Sequence, residues 1–209
     1  MEPLRAGNGE ADAAVAAIRA GKPIVIPTDT VYGLCANPYR AETVERAYRL
    51  KGRDEGQPSA LVASDVDMLF ECVPELRGRV GALLRELLPA PLTLVVPNPA
   101  RRYRWLTGSS PQTLGVRVPE LPPLSAAILS RVGALMATSA NLKGGDDPRR
   151  VADVPEEIVS GCGAVVDGGE LPGTPSTVID VTGDEPRVLR EGAVPADEAL
   201  ARVTSLAAE

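Results

Sequence analysis

Short apolar runs of strand length alternate with stretches of helical period along almost the whole chain. This alternation limits the fold more than any other feature. Strands and amphipathic helices each need a partner to bury their apolar side, so the mixture predicts an α/β domain. Ile24-Val25-Ile26, closed by Pro27, reads as a buried strand running into a loop. Residues 92–96, 114–118, 134–137, 164–166, 177–181 and 187–189 are further strand candidates. Residues 12–20 read as a helix stopped by Gly21. Over 41–51, Val44, Ala47, Tyr48 and Lys51 form one stripe, with Glu42/Arg46 and Glu45/Arg49 as i,i+4 pairs on the other side. Leu76, Val80, Leu83, Leu84 and Leu87 mark another helix, and Pro122 or Pro123 opens one carrying Leu124, Ile128 and Val132. The last strands follow one another closely, so part of a single large twisted sheet is expected to be antiparallel.

At 209 residues the chain suits one domain over 1–209. The motif-bearing part is about 10–195, with loose ends expected at 1–9 and 200–209. Aromatic residues are only 3% of the chain, so Val, Leu, Ile and Ala must fill the core. A net charge of −6 argues against a surface that grips nucleic acid everywhere. Any anion site must be a local concentration of cations. Cys35, Cys72 and Cys162 are widely spaced and read as reduced thiols, which with the absence of a signal pattern or membrane span points to the cytoplasm. Histidine is absent, which removes the commonest general base and metal ligand and excludes Ser-His-Asp and Cys-His arrangements. There is no P-loop, no Gly-x-Gly-x-x-Gly after a strand and no Gly-x-Ser-x-Gly.

Four clusters at strand or helix ends carry chemistry-bearing side chains. Pro27-Thr28-Asp29-Thr30-Val31-Tyr32-Gly33-Leu34 reads either as a polar turn or as a ligand loop. Lys51-Gly52-Arg53 either complements a helix dipole or clasps a polyphosphate. In 113–118, alternation sends Leu114, Val116 and Val118 to one face and Thr113, Gly115 and Arg117 to the other. There Arg117 is a plain surface residue or a carboxylate clamp. Thr138-Ser139-Ala140-Asn141 caps a turn or holds a nucleotide. Ser176-Thr177-Val178-Ile179-Asp180 and Leu189-Arg190-Glu191-Gly192 add a hydroxyl and a cation.

In order, these clusters together with Pro91-Leu92-Thr93-Leu94 and Val116-Arg117-Val118-Pro119 resemble the YrdC-like family of L-threonylcarbamoyl-adenylate synthases, over about residues 21–192. The resemblance implies an open twisted mixed sheet with flanking helices and a large concave cavity. Longer members carry an extra C-terminal domain, for which this sequence ends too soon. The implied reaction joins ATP, L-threonine and bicarbonate or carbon dioxide into threonylcarbamoyl-adenylate plus pyrophosphate, with Mg2+ on the nucleotide. Partner proteins, tRNA-modifying transferases, would then carry the group to an adenosine of tRNA. The implied ATP contacts are Lys51, Arg53, Gln57, Thr113, Ser139, Asn141 and Arg190, with Lys51 and Arg53 as the phosphate pair. The implied threonine contacts are Thr30, Arg117, Ser176 and the backbone at Ala137. Departures from the pattern are Asp54 for a proline, Val62 for a histidine of some members, Asp147-Pro148-Arg149 for a Ser-Pro-Thr type run, and Pro175 before Ser176. No protein nucleophile or dedicated metal ligand is required. The competing readings are a carbamoyl-adenylate former that uses carbamoyl phosphate, and a non-catalytic RNA-binding module. The latter draws on Arg101-Arg102-Tyr103-Arg104-Trp105, a segment that otherwise reads as a solvated loop.

Overall fold

A computed structural model describes residues 7–53 and 56–207. The Asp54 departure lies outside the described residues, as does the expected loose end at 1–6. In chain order the helices are α1 (Gly7–Arg19), α2 (Ala41–Lys51), α3 (Val66–Cys72), α4 (Gly78–Leu87), α5 (Pro123–Val132), α6 (Glu156–Gly161) and α7 (Ala196–Ala207). The strands are β1 (Ile24–Pro27), β2 (Tyr32–Ala36), β3 (Ala60–Ala63), β4 (Leu92–Pro97), β5 (Thr113–Arg117), β6 (Ala134–Ser139), β7 (Ala164–Val165), β8 (Thr177–Asp180) and β9 (Arg187–Arg190). They form one sheet in the order β7-β1-β2-β6-β3-β5-β4-β8-β9. The pairs β1/β7, β3/β5 and β4/β8 are parallel and the other five antiparallel, so the sheet is mixed as expected.

Two apolar layers flank this sheet, and strand alternation decides which residues enter each. Val25, Leu34, Leu61, Leu94, Val116, Met136 and Ile179 point to one face, where they pack with residues of α2, α3, α4, α6 and α7. Ile24, Ile26, Cys35, Val62 and Leu135 point to the other, against α1 and α5. Among the described residues, only those two helices cover this second face. They pack on each other and on β7, β1 and β6. The part of the face made by β3, β5, β4 and β8 is left open, and this opening positions the site.

Three expectations are corrected. The chain is not loose from residue 200: α7 runs to Ala207 with Ala199 and Val203 buried, on α4, β8 and β9. Residues 7–9 belong to α1 instead of a loose end. The segment after Pro27 is a turn only as far as Val31, because Tyr32–Ala36 returns antiparallel to β1 as a fully buried strand.

Candidate active site

The open half of the second face holds a cavity of about 610 Å³. Strand register explains its depth. Ala137 lies opposite Ala60, Ala60 opposite Gly115, and Gly115 opposite Val95, so one row across four strands carries small side chains. All four line the cavity as its floor. Thr113 lies two residues before Gly115 and Arg117 two residues after it on the same strand face. They are separated by roughly 13 Å along the strand. Ser139 lies on the Thr113 side of the row and Val62, opposite Arg117, on the other. The cavity therefore has two ends over a floor of small residues.

Arg117 dominates one end. Its Nη2 meets Asp29 Oδ1 at 2.7 Å, and both side chains are nearly buried, 11% and 9% exposed. Arg117 Nε and Asp29 Oδ2 have no hydrogen-bond partner among the described residues. Burial raises the Asp29 pKa, opposed by the Arg117 charge. An incompletely paired buried guanidinium is suited to accept a second carboxylate, because a two-oxygen anion satisfies donors that one Asp oxygen leaves unmet. Nearby, Thr30 is 1% exposed and donates to Thr28 Oγ1 at 3.1 Å, while Thr28 donates to the Val31 carbonyl. Ser176 Oγ is 2.8 Å from Thr93 Oγ1. Arg190 Nη2 donates to the Ser176 carbonyl at 2.8 Å.

The other end is built from the C-terminus of α2. Gly52, at φ +62°, caps the helix while the Arg53 amide reaches back to the Tyr48 carbonyl at 2.9 Å, a Schellman turn. This turn separates the two cations. Arg53 reaches the cavity wall, donating from Nη1 to Thr138 Oγ1 at 2.6 Å and from Nη2 to the Pro58 carbonyl. Its guanidinium also lies over the Tyr48 ring, 5.6 Å from the centroid. Lys51 instead stays on the buried stripe and points behind the wall. Its Nζ donates to the carbonyls of Ser139 at 2.7 Å and Asn141 at 2.8 Å, and to Asn141 Oδ1. Burial, and then the Arg53 charge, lowers the Lys51 pKa to about 8. Ser139 Oγ donates to Asn141 Oδ1 at 2.7 Å.

The cavity lining thus includes Thr30, Arg53, Thr113, Arg117, Ala137, Ser139, Ser176 and Arg190 from the expected set. Lys51 and Asn141 lie behind the Ser139 wall, and Gln57 is exposed, its carbonyl accepting weakly from Arg53 Nε at 3.4 Å. Reading the sequence missed Thr93 and Asp147 as wall residues, and Asp29 as the partner of Arg117. Alternation along β4 would have found Thr93, since Leu92, Leu94 and Val96 point the other way.

The thiols are not placed for covalent chemistry. Burial pushes those of Cys35 and Cys162 up to about 12. No group of three or more His, Cys, Asp or Glu among the described residues could cage a metal. That donor set fits a magnesium ion carried by nucleotide phosphates, which needs one or two carboxylates at most. The Arg101–Trp105 segment is tied down instead of presented as a stacking platform. Arg102 pairs with Glu75, Trp105 Nε1 donates to the Pro38 carbonyl, and both aromatic rings pack on the core. No helix among the described residues is long and apolar enough to cross a membrane.

Sheet and cavity define an α/β protein with one cavity, cationic at both ends, over the uncovered half of an open mixed sheet. A family model described as "Telomere recombination", for Sua5, YciO and YrdC proteins, matches residues 16–192. The chain belongs to the Sua5/YciO/YrdC family. It is 38% identical over 167 residues to a threonylcarbamoyl-AMP synthase of Thiobacillus denitrificans, covering 78% of this chain and 87% of that one. It is 34% identical over 182 residues to the threonylcarbamoyl-AMP synthase of Pyrococcus abyssi, covering 87% of this chain. The chain spans about half the length, 53%, of the Pyrococcus abyssi and Bacillus subtilis relatives. Among solved structures, P. abyssi Sua5 complexed with L-threonine superposes with a TM-score of 0.85 at 31% identity, over 96% of this chain and 58% of that one.

Proposed function

We propose that this chain is an L-threonylcarbamoyl-adenylate synthase, an enzyme of nucleotidyl transfer. ATP, L-threonine and bicarbonate or carbon dioxide give threonylcarbamoyl-AMP and pyrophosphate, for later transfer to tRNA by partner proteins. The carrying observation is one cavity with two cationic ends across a floor of small side chains. Relatives named threonylcarbamoyl-AMP synthase, and the neighbour complexed with L-threonine, support this reaction.

In this reading Arg117 takes the threonine carboxylate, with Thr30 and Ser176 beside it. Arg53 faces the polyphosphate from the α2 end and Arg190 reaches it from the Arg117 side, with Thr113 and Ser139 beside the rest of the nucleotide. The neutral threonine amine captures carbon dioxide and loses a proton, giving a carbamate. A carbamate oxygen attacks the α-phosphorus in line, and the bond to the bridging oxygen breaks as pyrophosphate leaves. No side chain need become covalently bonded, so the chain acts by positioning and charge stabilisation. Magnesium, when bound with the nucleotide, supplies charge neutralisation on the phosphates.

The test is pyrophosphate release with each substrate omitted in turn. Release is expected only with ATP, threonine and a bicarbonate source together. Release with carbamoyl phosphate and none with threonine would assign the chain to carbamoyl-adenylate chemistry instead.

A further inference from the structure

Arg53 and Arg117 both line the cavity, but the chain holds them differently. Arg117 is held by a carboxylate, that of Asp29. No carboxylate among the described residues pairs with Arg53. Its hydrogen bonds go to neutral acceptors: Thr138 Oγ1, the Pro58 carbonyl and, weakly, the Gln57 carbonyl. These bonds leave two of the five N–H donors of the guanidinium for a ligand. Burial lowers the Arg53 pKa, as expected of a cation drawn out of water without a counter-charge. Beside it lies the Tyr48 ring, its centroid 5.6 Å from the guanidinium carbon.

Tyr48 is tied to Arg53 and its surroundings at three points. The ring is the first. Its carbonyl accepts from the Arg53 amide at 2.9 Å. Its hydroxyl donates to the Trp105 carbonyl at 3.1 Å and lies 2.5 Å from Ser59 Oγ. Ser59 follows Pro58, whose carbonyl accepts from Arg53 Nη2. Tyr48 thus joins the end of α2 to the wall on which the guanidinium rests. It is 3% exposed and is not among the residues that line the cavity, so any effect on a ligand passes through Arg53. A carboxylate in place of the ring would occupy donors and cancel the charge that a phosphate needs. An aromatic face attracts a cation through its quadrupole and carries no net charge. Held this way, Arg53 keeps its full charge for an anion.

We propose that Tyr48 is a positioning residue, whose ring holds the Arg53 guanidinium in place as an unneutralised cation for the polyphosphate of the nucleotide. The proposal rests on the ATP reading above. A non-hydrolysable ATP analogue and AMP are titrated calorimetrically into the wild-type chain, into Tyr48→Phe, and into a chain with pentafluorophenylalanine at position 48. Fluorination keeps the ring and strips the negative charge from its face. All titrations are made below the melting transition of every chain, so a loss of stability does not enter. Tyr48→Phe should bind the analogue within about twofold of wild type, and the fluorinated ring should weaken it about tenfold, with a smaller loss for AMP. Tyr48→Leu, which has no ring, should match the fluorinated chain. In an Arg53→Ala background the plain and fluorinated rings should bind the analogue alike. Equal affinity with plain and fluorinated rings, a fluorine effect that survives Arg53→Ala, or an equal loss for AMP would overturn the proposal. A loss in Tyr48→Phe as large as the fluorinated one would assign the effect to the hydroxyl and overturn it too. If the wild type does not bind the analogue, the ATP reading fails and the proposal falls with it. Binding by the wild type with no effect of the ring overturns the proposal alone.

Discussion

Lys51 and Arg53 stand two residues apart, yet Gly52 turns one behind the wall and the other into the cavity. Lys51→Met removes three donors from acceptors that have little water to replace them. It should destabilise the fold by about 1–3 kcal/mol, read by urea unfolding, and weaken nucleotide binding by loosening Ser139 and Asn141. Arg53→Ala leaves the apolar stripe of α2 intact. It should cost about 2–4 kcal/mol of transition-state stabilisation with a near-normal melting temperature. A variant that unfolds, or turns over normally, would contradict that role.

The lowered Lys51 pKa, about 8, gives two pH dependences of opposite sign. Below about 8 the ammonium is charged, so nucleotide affinity should be full there and fall as pH rises through that value. In the unfolded chain the group titrates near its ordinary value, 10.5. Between these values the unfolded state holds more protons, so the Lys51 contribution to stability increases with pH across the window. Both slopes should be absent from Lys51→Met. Calorimetric binding and denaturation series at matched pH values separate them.

Along β5, neighbouring residues face opposite layers, so single substitutions should have contrasting effects. Val116 is fully buried. Val116→Ala should lower stability by about 1–3 kcal/mol and leave threonine affinity per folded molecule nearly unchanged. Arg117→Ala should do the reverse: a large loss in threonine affinity, with ATP binding close to wild type. An ATP defect as large as the threonine defect would show that Arg117 serves the other ligand. This strand was legible in the sequence because period-2 alternation is strict and one face is covered. The α2 stripe was legible too, and it already included Lys51, which was the available sign that this cation is buried.

The missed features have physical reasons. Tyr32–Ala36 contains Gly33 and follows a Thr- and Asp-rich turn, so its strand character comes from neighbours on both sides, β1 and β6. The α7 helix is rich in Ala and charge and reads as a tail, but Ala199 and Val203, an i,i+4 pair, carry its contact. Val203→Asp should therefore unfold the chain at markedly lower urea than Val203→Ala. Asp29 could not be paired with Arg117 from sequence, because 88 residues separate them and only the folded sheet joins them.

At the scale of the whole molecule, asymmetric helix cover creates the site: five helices close one face, while α1 and α5 leave half of the other open. Overall acidity and a local cationic cavity should make the chain selective for small anions. At ligand concentrations about 100 times Kd, ATP and threonine should each add about 2.7 kcal/mol of apparent stability and raise the melting temperature. A single-stranded RNA oligomer should not. A larger shift with RNA would favour the nucleic-acid reading.

Arg190 ends β9, an edge strand that among the described residues pairs only with β8 and is mostly exposed. One wall of the cavity is thus the part of the sheet that peels away with least free energy, while the floor opens only with the whole domain. In amide hydrogen exchange, β9 of the empty protein should lose protection early and β5 late. Ligand that Arg190 grips can occupy only the closed form, so bound nucleotide should slow exchange in β9 selectively. The rate at which this edge opens then bounds how fast a product held against it can escape.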